Sequence, residues 1–185
     1  MCAGPNDGTI DARVASMGVL GSDVRLGLLL SGQHPTGDSA VGAVGQHLEQ
    51  VDVARELGFS SVWTSQHFLS HPFLYLQSVP LLARVAAAAE GMTVGTAILL
   101  LTLLNSVEVA EHAATLDAIA AGRFVLGVGI GYRAVENAAF GVAQGRAELF
   151  ERKLEIVRRL LDGERVTASG PGFELADARL TLVPE

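Results

Sequence analysis

From Arg25 onward, short apolar runs alternate with helix-period patterns, and this alternation constrains the fold more than any other feature of the chain. A strand, a helix and a further strand joined by short returns read as parallel βα units. Four units are visible, with strands predicted at 25–31, 60–64, 93–101 and 124–128. The first helix carries Val41, Val44, Leu48, Val51 and Ala54 at spacings of three and four, the period of one buried face. A second helix is predicted over about 76–90, with Pro80 near its first turn, where a missing N–H is tolerated. The third begins at Val107, burying Val109, Ala113, Leu116 and Ala120 and leaving Glu108, Glu111, His112 and Thr115 in water. Gly58, Gly91 and Gly122 stand where helix C-terminal caps are needed. A last long helix over 147–161 turns Phe150, Leu154, Val157 and Leu161 inward; Glu148 with Arg152 and Glu155 with Arg159 are spaced for exposed ion pairs worth only ~0.2–0.5 kcal/mol each. Residues 166–183, broken by Gly170-Pro171-Gly172, predict a short hairpin outside the repeat.

Composition narrows the function classes. At 185 residues, with 49% hydrophobic and 18% charged side chains, the chain fits one well-buried globular domain. Thirteen basic against 20 acidic residues give a formal charge of -7, which argues against nucleic acid or an anionic membrane as partner and for a small molecule. Cys2 is the only cysteine, so an internal disulfide and a multi-thiolate zinc site are excluded, and a reducing cytoplasm is the expected compartment. The longest apolar stretch, 94–104, is too short for a membrane span of roughly 18 residues and reads as a buried strand, apolar on both faces. Residues 1–24 lack a period and are expected to form a flexible extension to a domain at 25–185.

Loop lengths point to a face. Returns from helix to strand are short, whereas segments leaving the strands are longer and polar, and ligands of parallel α/β folds bind at the carboxyl ends of strands. His67, in Thr64-Ser65-Gln66-His67-Phe68, follows strand two, where an imidazole can donate a hydrogen bond or move a proton near neutral pH. His71 lies four residues on, but Pro72 argues against both histidines riding one helix as a metal pair, so no metal ligand is assigned. Gly127-Val128-Gly129-Ile130-Gly131-Tyr132 supplies glycines directly after a strand, either as a plain turn or as backbone that approaches a phosphate or planar ring. Tyr132 occupies the place of the third glycine of a dinucleotide fingerprint, which weakens a nicotinamide-binding reading. Thr96-Ala97-Ile98 combine small and apolar groups that would let a flat ligand lie against the backbone; ordinary core packing is the competing reading. Arg133 and Glu136 are expected as exposed helix-start residues, with Arg133 also suited to pairing with a phosphate.

Taken together, the segment 58–68, Val94-Gly95-Thr96-Ala97, the run 113–124 ending in Ala121-Gly122-Arg123-Phe124, and Leu126-Gly127-Val128-Gly129-Ile130-Gly131-Tyr132 resemble the bacterial luciferase-like flavin-dependent monooxygenases. The resemblance covers about 25–185 and implies a TIM-type (β/α)8 barrel with flavin at its carboxyl face, of which about the first four βα units are present. It implies that His67 is the catalytic histidine near the reactive part of the flavin. Thr96, Ala97 and Ile98 would border the ring, Ala97 and Ile98 matching a site where the family often has a non-proline cis peptide. Gly129, Gly131 and Tyr132 would line the cofactor after strand four.

The implied activity is oxidation of a small organic substrate by reduced flavin and oxygen. FMN is the expected cofactor and a 5-deazaflavin coenzyme the alternative, with reducing equivalents from a separate flavin reductase or from NAD(P)H. Gln66 stands where many members carry Asp or Glu, and Asn105 where a proline is common; both bear on cofactor choice. The chain is also shorter than the ~200–250 residues of such a barrel. This suggests an N-terminal fragment or a shortened member that closes by homo-oligomerising. A non-catalytic flavin-binding protein and an inactive fragment with an exposed sheet edge are the rival readings.

Overall fold

The computed structural model describes residues 24–142, 144–170 and 173–184. In chain order the elements are β1 (Gly27–Leu30), β2 (Gln33–His34), α1 (Ala40–Glu56), β3 (Ser61–Thr64), β4 (Leu74–Tyr75), α2 (Ser78–Ala88), β5 (Thr93–Thr96) and β6 (Leu99–Leu100). A 3-10 turn at Leu101–Leu103 precedes α3 (Ser106–Ile119), followed by β7 (Phe124–Val125), β8 (Val128–Gly129), α4 (Ala134–Ala139), α5 (Arg146–Leu161), β9 (Val166–Gly170) and β10 (Phe173–Ala178). The expected extension at 1–24 lies outside the described residues apart from Val24.

The parallel sheet runs in the order β1-β3-β5-β7, so each βα unit adds one strand beside the last, the arrangement expected from the sequence. Leu29, Trp63, Gly95 and Val125 share one row across it. On the opposite face, Leu30, Val62 and Val94 pack beneath the helices with Val51, Leu82, Val85 and Leu116. Each such side chain contributes roughly 1.5–3 kcal/mol by burial. A second core joins Leu101, Val109 and Ala110 to Ile156, Val157 and Leu160 of α5, and the tail forms the predicted hairpin, β9 antiparallel to β10.

Local chemistry explains the ends. Ser39 caps α1 by accepting from the Gly42 amide at 3.1 Å, and Gly58, Gly91 and Gly122 follow their helices at φ of 80°, 81° and 74°, a region costly for side chains with a Cβ. Asn105 caps α3, its Oδ1 accepting from the Val107 amide at 2.9 Å and the Glu108 amide at 3.4 Å. The residue that departs from the family's proline thus starts the helix by a different device.

Several expectations are corrected. Strand three does not run unbroken over 93–101: it ends at Thr96, passes through a cis Ala97–Ile98 peptide and resumes as β6. Strand four is likewise split, into β7 and β8. Helices cover one sheet face only; on the other, Leu29 and Val125 are exposed, so the strands are not apolar-buried on both sides. In α1 the buried set is Ala43, His47, Val51 and Ala54, and Val41 is solvent-facing at 84% exposure. A face rotated by roughly 60°, which keeps Val51 and Ala54 and exchanges Val41, Val44 and Leu48 for Ala43 and His47, also satisfies the three-and-four spacing, and packing against β1 and α2 selects it. In α5, Leu154 is exposed while Ile156 and Leu160 are buried. Arg158 bridges to Glu155 and Asp162, and Arg159 pairs with Glu164 rather than Glu155. None of the described helices is long and apolar enough to cross a membrane.

Candidate active site

The segments leaving β3, β5 and β8 meet in a cleft of about 270 Å³ lined by Gln66, His67, Ala97, Ile98, Gly131 and Tyr132, together with Ser65 and Leu100. Five of the seven residues assigned from sequence therefore come together: His67, Ala97, Ile98, Gly131 and Tyr132. Thr96 and Gly129 do not reach the cleft. The Thr96 hydroxyl donates to the Gly127 carbonyl at 2.8 Å and accepts from the Gly127 amide at 2.9 Å, tying β5 to the start of the glycine turn.

The glycines have packing roles. A Cβ on Gly127 would lie 2.1 Å from the Thr96 carbonyl oxygen, and one on Gly129 would lie 2.0 Å from Ile98 Cδ1. Both allow this segment to approach the β5–β6 junction closely, and the Gly127 amide is spent on Thr96 Oγ1. Gly131 adopts φ 76°, the conformation a turn needs from glycine.

His67 is held from behind. Its Nδ1 lies 3.0 Å from Oε1 of Glu136, which is 1% exposed. The same oxygen accepts the Phe68 amide at 2.8 Å and Arg133 Nη1 at 3.1 Å. A carboxylate oxygen that takes three donors fixes the proton of His67 on Nδ1, leaving Nε2 as the free nitrogen. Gln77 Nε2 donates to the His67 carbonyl at 2.9 Å. The ring stands edge-on to Tyr75 at 5.6 Å and to Tyr132 at 5.8 Å between centroids. Tyr75 donates to or accepts from Ser65 Oγ at 2.9 Å, and burial raises its phenol above the usual value of 10.0.

Glu136 and Arg133 do stand at a helix start, but neither is exposed. Glu136 is buried, and Arg133 is spent on the Phe68 and Leu69 carbonyls, Ser70 Oγ and Glu136. Helix α4, whose start the sequence places here, delivers both, Arg133 as its N-cap residue and Glu136 in its first turn. Its short apolar pattern gives no amphipathic signal, and Glu136 is 69 positions from His67. Gln66 was also missed as a structural residue: it is buried, and its Oε1 accepts the Leu100 amide at 2.9 Å, holding β6 against the cleft. Arg146 Nη1 donates to the Gly131 carbonyl at 3.0 Å. His71 is exposed, and no group of three or more metal-ligand side chains occurs among the described residues.

The family model for luciferase-like monooxygenases matches residues 24–185. The chain belongs to the luciferase-like monooxygenase family. This luciferase-like chain is 31% identical over 170 residues to a 4-hydroxyprotoasukamycin monooxygenase of Streptomyces nodosus subsp. asukaensis, covering 87% of the chain and 44% of that protein. It is 37% identical over 142 residues to an F420-dependent glucose-6-phosphate dehydrogenase of Kineococcus radiotolerans, covering 71% and 41%. Among solved structures, the oxygenating constituent of 3,6-diketocamphane monooxygenase from Pseudomonas putida, a complex with FMN, superposes with a TM-score of 0.73 at 18% identity, covering 87% of this chain and 44% of that one. That likeness speaks to the fold: the four βα units are part of the luciferase-like TIM barrel. The luciferase-like chain spans less than half the length of the curated relatives it matches.

Proposed function

We propose that this luciferase-like chain carries the histidine side of a flavin site and serves an oxidoreductase that uses reduced flavin and oxygen on a small organic substrate. The observation that carries this reading is the contact of His67 Nδ1 with Glu136 at the rim of the Ala97–Ile98 cleft.

The residues present fit a planar ring. Ala97, Gly131 and the side of Ile98 form a small-residue wall, and the cleft of about 270 Å³ suits a ring system better than a whole nucleotide. The phosphate has no such fit here, because Arg133 and Arg146 are engaged with backbone carbonyls. Bound reduced flavin would supply two electrons, with one oxygen atom passing to the substrate and the other leaving as water. His67 Nε2 holds or moves a proton at the reacting face, a role worth ~10²- to 10⁴-fold in rate. Glu136 sets the tautomer that leaves Nε2 available. Tyr75 and Tyr132 flank the imidazole edge-on.

Reducing equivalents are assigned to a separate flavin reductase or to NAD(P)H. The open inner sheet face and the free edge of β1 support homo-oligomer formation.

A second reading, hydride exchange with a deazaflavin coenzyme, is favoured by the 37% identity to an F420-dependent dehydrogenase. Absorption and fluorescence titration with FMN and with the deazaflavin distinguishes the two: tight binding of one names the cofactor, and binding of neither refutes the cleft as a ring site. For the oxygen-using reading, His67→Ala should slow single-turnover oxidation at bound reduced flavin by at least 100-fold; an unchanged rate removes His67 from the chemistry.

A further inference from the structure

Away from the cleft, two histidines meet where neither the family reading nor the site chemistry uses them. His34 on β2 and His47 on α1 are both buried, and their Nε2 atoms lie 3.1 Å apart. Their ring centroids are 5.0 Å apart with planes inclined at 64°. Both side chains line a cavity of about 740 Å³ together with Gln33, Gln46, Glu49 and Gln50.

From this geometry we propose that His34 and His47 form a two-imidazole chelate for a divalent transition-metal ion of the zinc, nickel or copper type, completed by water from the cavity. Imidazole nitrogens bind such ions at ~2.05 Å, and a bite of about 100° sets the two nitrogens about 3.1 Å apart. Adding about 1.15 Å from each nitrogen to its ring centre puts the centroids of that chelate about 4.9 Å apart. Two rings sharing a collinear N–H···N bond over the same nitrogen separation would have centroids about 5.4 Å apart. The observed 5.0 Å sits with the converging arrangement.

A third contact supports it. His47 Nδ1 lies 3.1 Å from Gln50 Oε1, so the amide oxygen takes the Nδ1 proton and leaves the Nε2 lone pair facing His34. Metal-binding histidines are oriented in this way, by an outer carbonyl or carboxylate on the other ring nitrogen. His34 binds with its proton on Nδ1, so capture of the ion shifts a tautomer and releases no proton. Both nitrogens are also held by separate elements, β2 and α1, so the ion would clamp the loop after β1 to the first helix.

The test is titration of tag-free full-length chain with Zn²⁺ by calorimetry, and with Cu²⁺ by electron paramagnetic resonance. One equivalent of Zn²⁺ should bind, with affinity falling at least 10-fold in His34→Gln and in His47→Gln and unchanged in a His71→Gln/His112→Gln control. The Cu²⁺ spectrum of the unaltered chain should show superhyperfine coupling from two imidazole nitrogens. This second readout stands even where either variant fails to fold. No Zn²⁺ binding, binding that survives both single variants, binding lost in the control, or coupling from fewer than two imidazoles overturns the assignment.

Discussion

Replacing Glu136 by Gln keeps the shape of the side chain and removes its charge, and so isolates what the carboxylate does. Its Oε1 takes three donors: His67 Nδ1, the Phe68 amide and Arg133 Nη1 at 3.0, 2.8 and 3.1 Å. Hydrogen bonds to a charged partner contribute about 1 kcal/mol more than neutral ones, so three bonds weaken by about 3 kcal/mol together. Relief from burying a carboxylate offsets part of this, leaving a loss of about 2–3 kcal/mol. For a chain of this size each kcal/mol moves the midpoint by about 2–4 °C, so Glu136→Gln should unfold about 4–12 °C below the parent. Nitrogen-15 NMR of the histidine rings supplies an independent readout: the parent should show His67 protonated on Nδ1 while neutral, and the variant a mixture of tautomers. If Glu136 acts on chemistry only through His67, Glu136→Gln added to His67→Ala should slow turnover no further. A midpoint within 1 °C of the parent, or a parent His67 protonated on Nε2, would refute the role given to the carboxylate.

Other expectations follow from single contacts. Gly127→Ala should cost about 3 kcal/mol, because its Cβ meets a strand carbonyl that cannot move, whereas Gly129→Ala meets a flexible Ile98 terminus and should cost about 1 kcal/mol, as denaturant midpoints will show. Gln66→Leu orphans the Leu100 amide and should cost about 1–3 kcal/mol by the same measurement. In a Tyr132→Phe background, ultraviolet titration should place Tyr75 above 10.0, since burial disfavours the phenolate. The unfolded chain then loses this proton first, so Tyr75 makes stability fall as pH rises above 10.0, and Tyr75→Phe should flatten that decline. Leu29→Lys, on the open sheet face, should lower the mass seen by light scattering if the chain associates through that face; an unchanged mass would exclude it.

Much of this protein was legible because it is written in local pattern. The strand-and-helix alternation, the stops at Gly58, Gly91 and Gly122, and the position of His67 after a strand depend on neighbours within a few residues. So did the water-facing row Glu108, Glu111, His112 and Thr115, which the structure keeps exposed. Errors arose where spacing admitted two answers. Val41 and Ala43 both fit a helical face, and only contact with the sheet chose between them.

The family and the βα order were therefore determined by sequence, since both rest on motifs short enough to be read directly. Tertiary structure alone decided how His67 is held. Glu136 looks like an ordinary first-turn acid, and nothing near it in the chain marks it as buried. Packing α4 behind the β3 loop brings it 3.0 Å from an imidazole 69 positions earlier. The same holds for His34 and His47, 13 positions apart and on different elements. A buried polar contact is set by which surfaces close over it, and a sequence pattern does not carry that information.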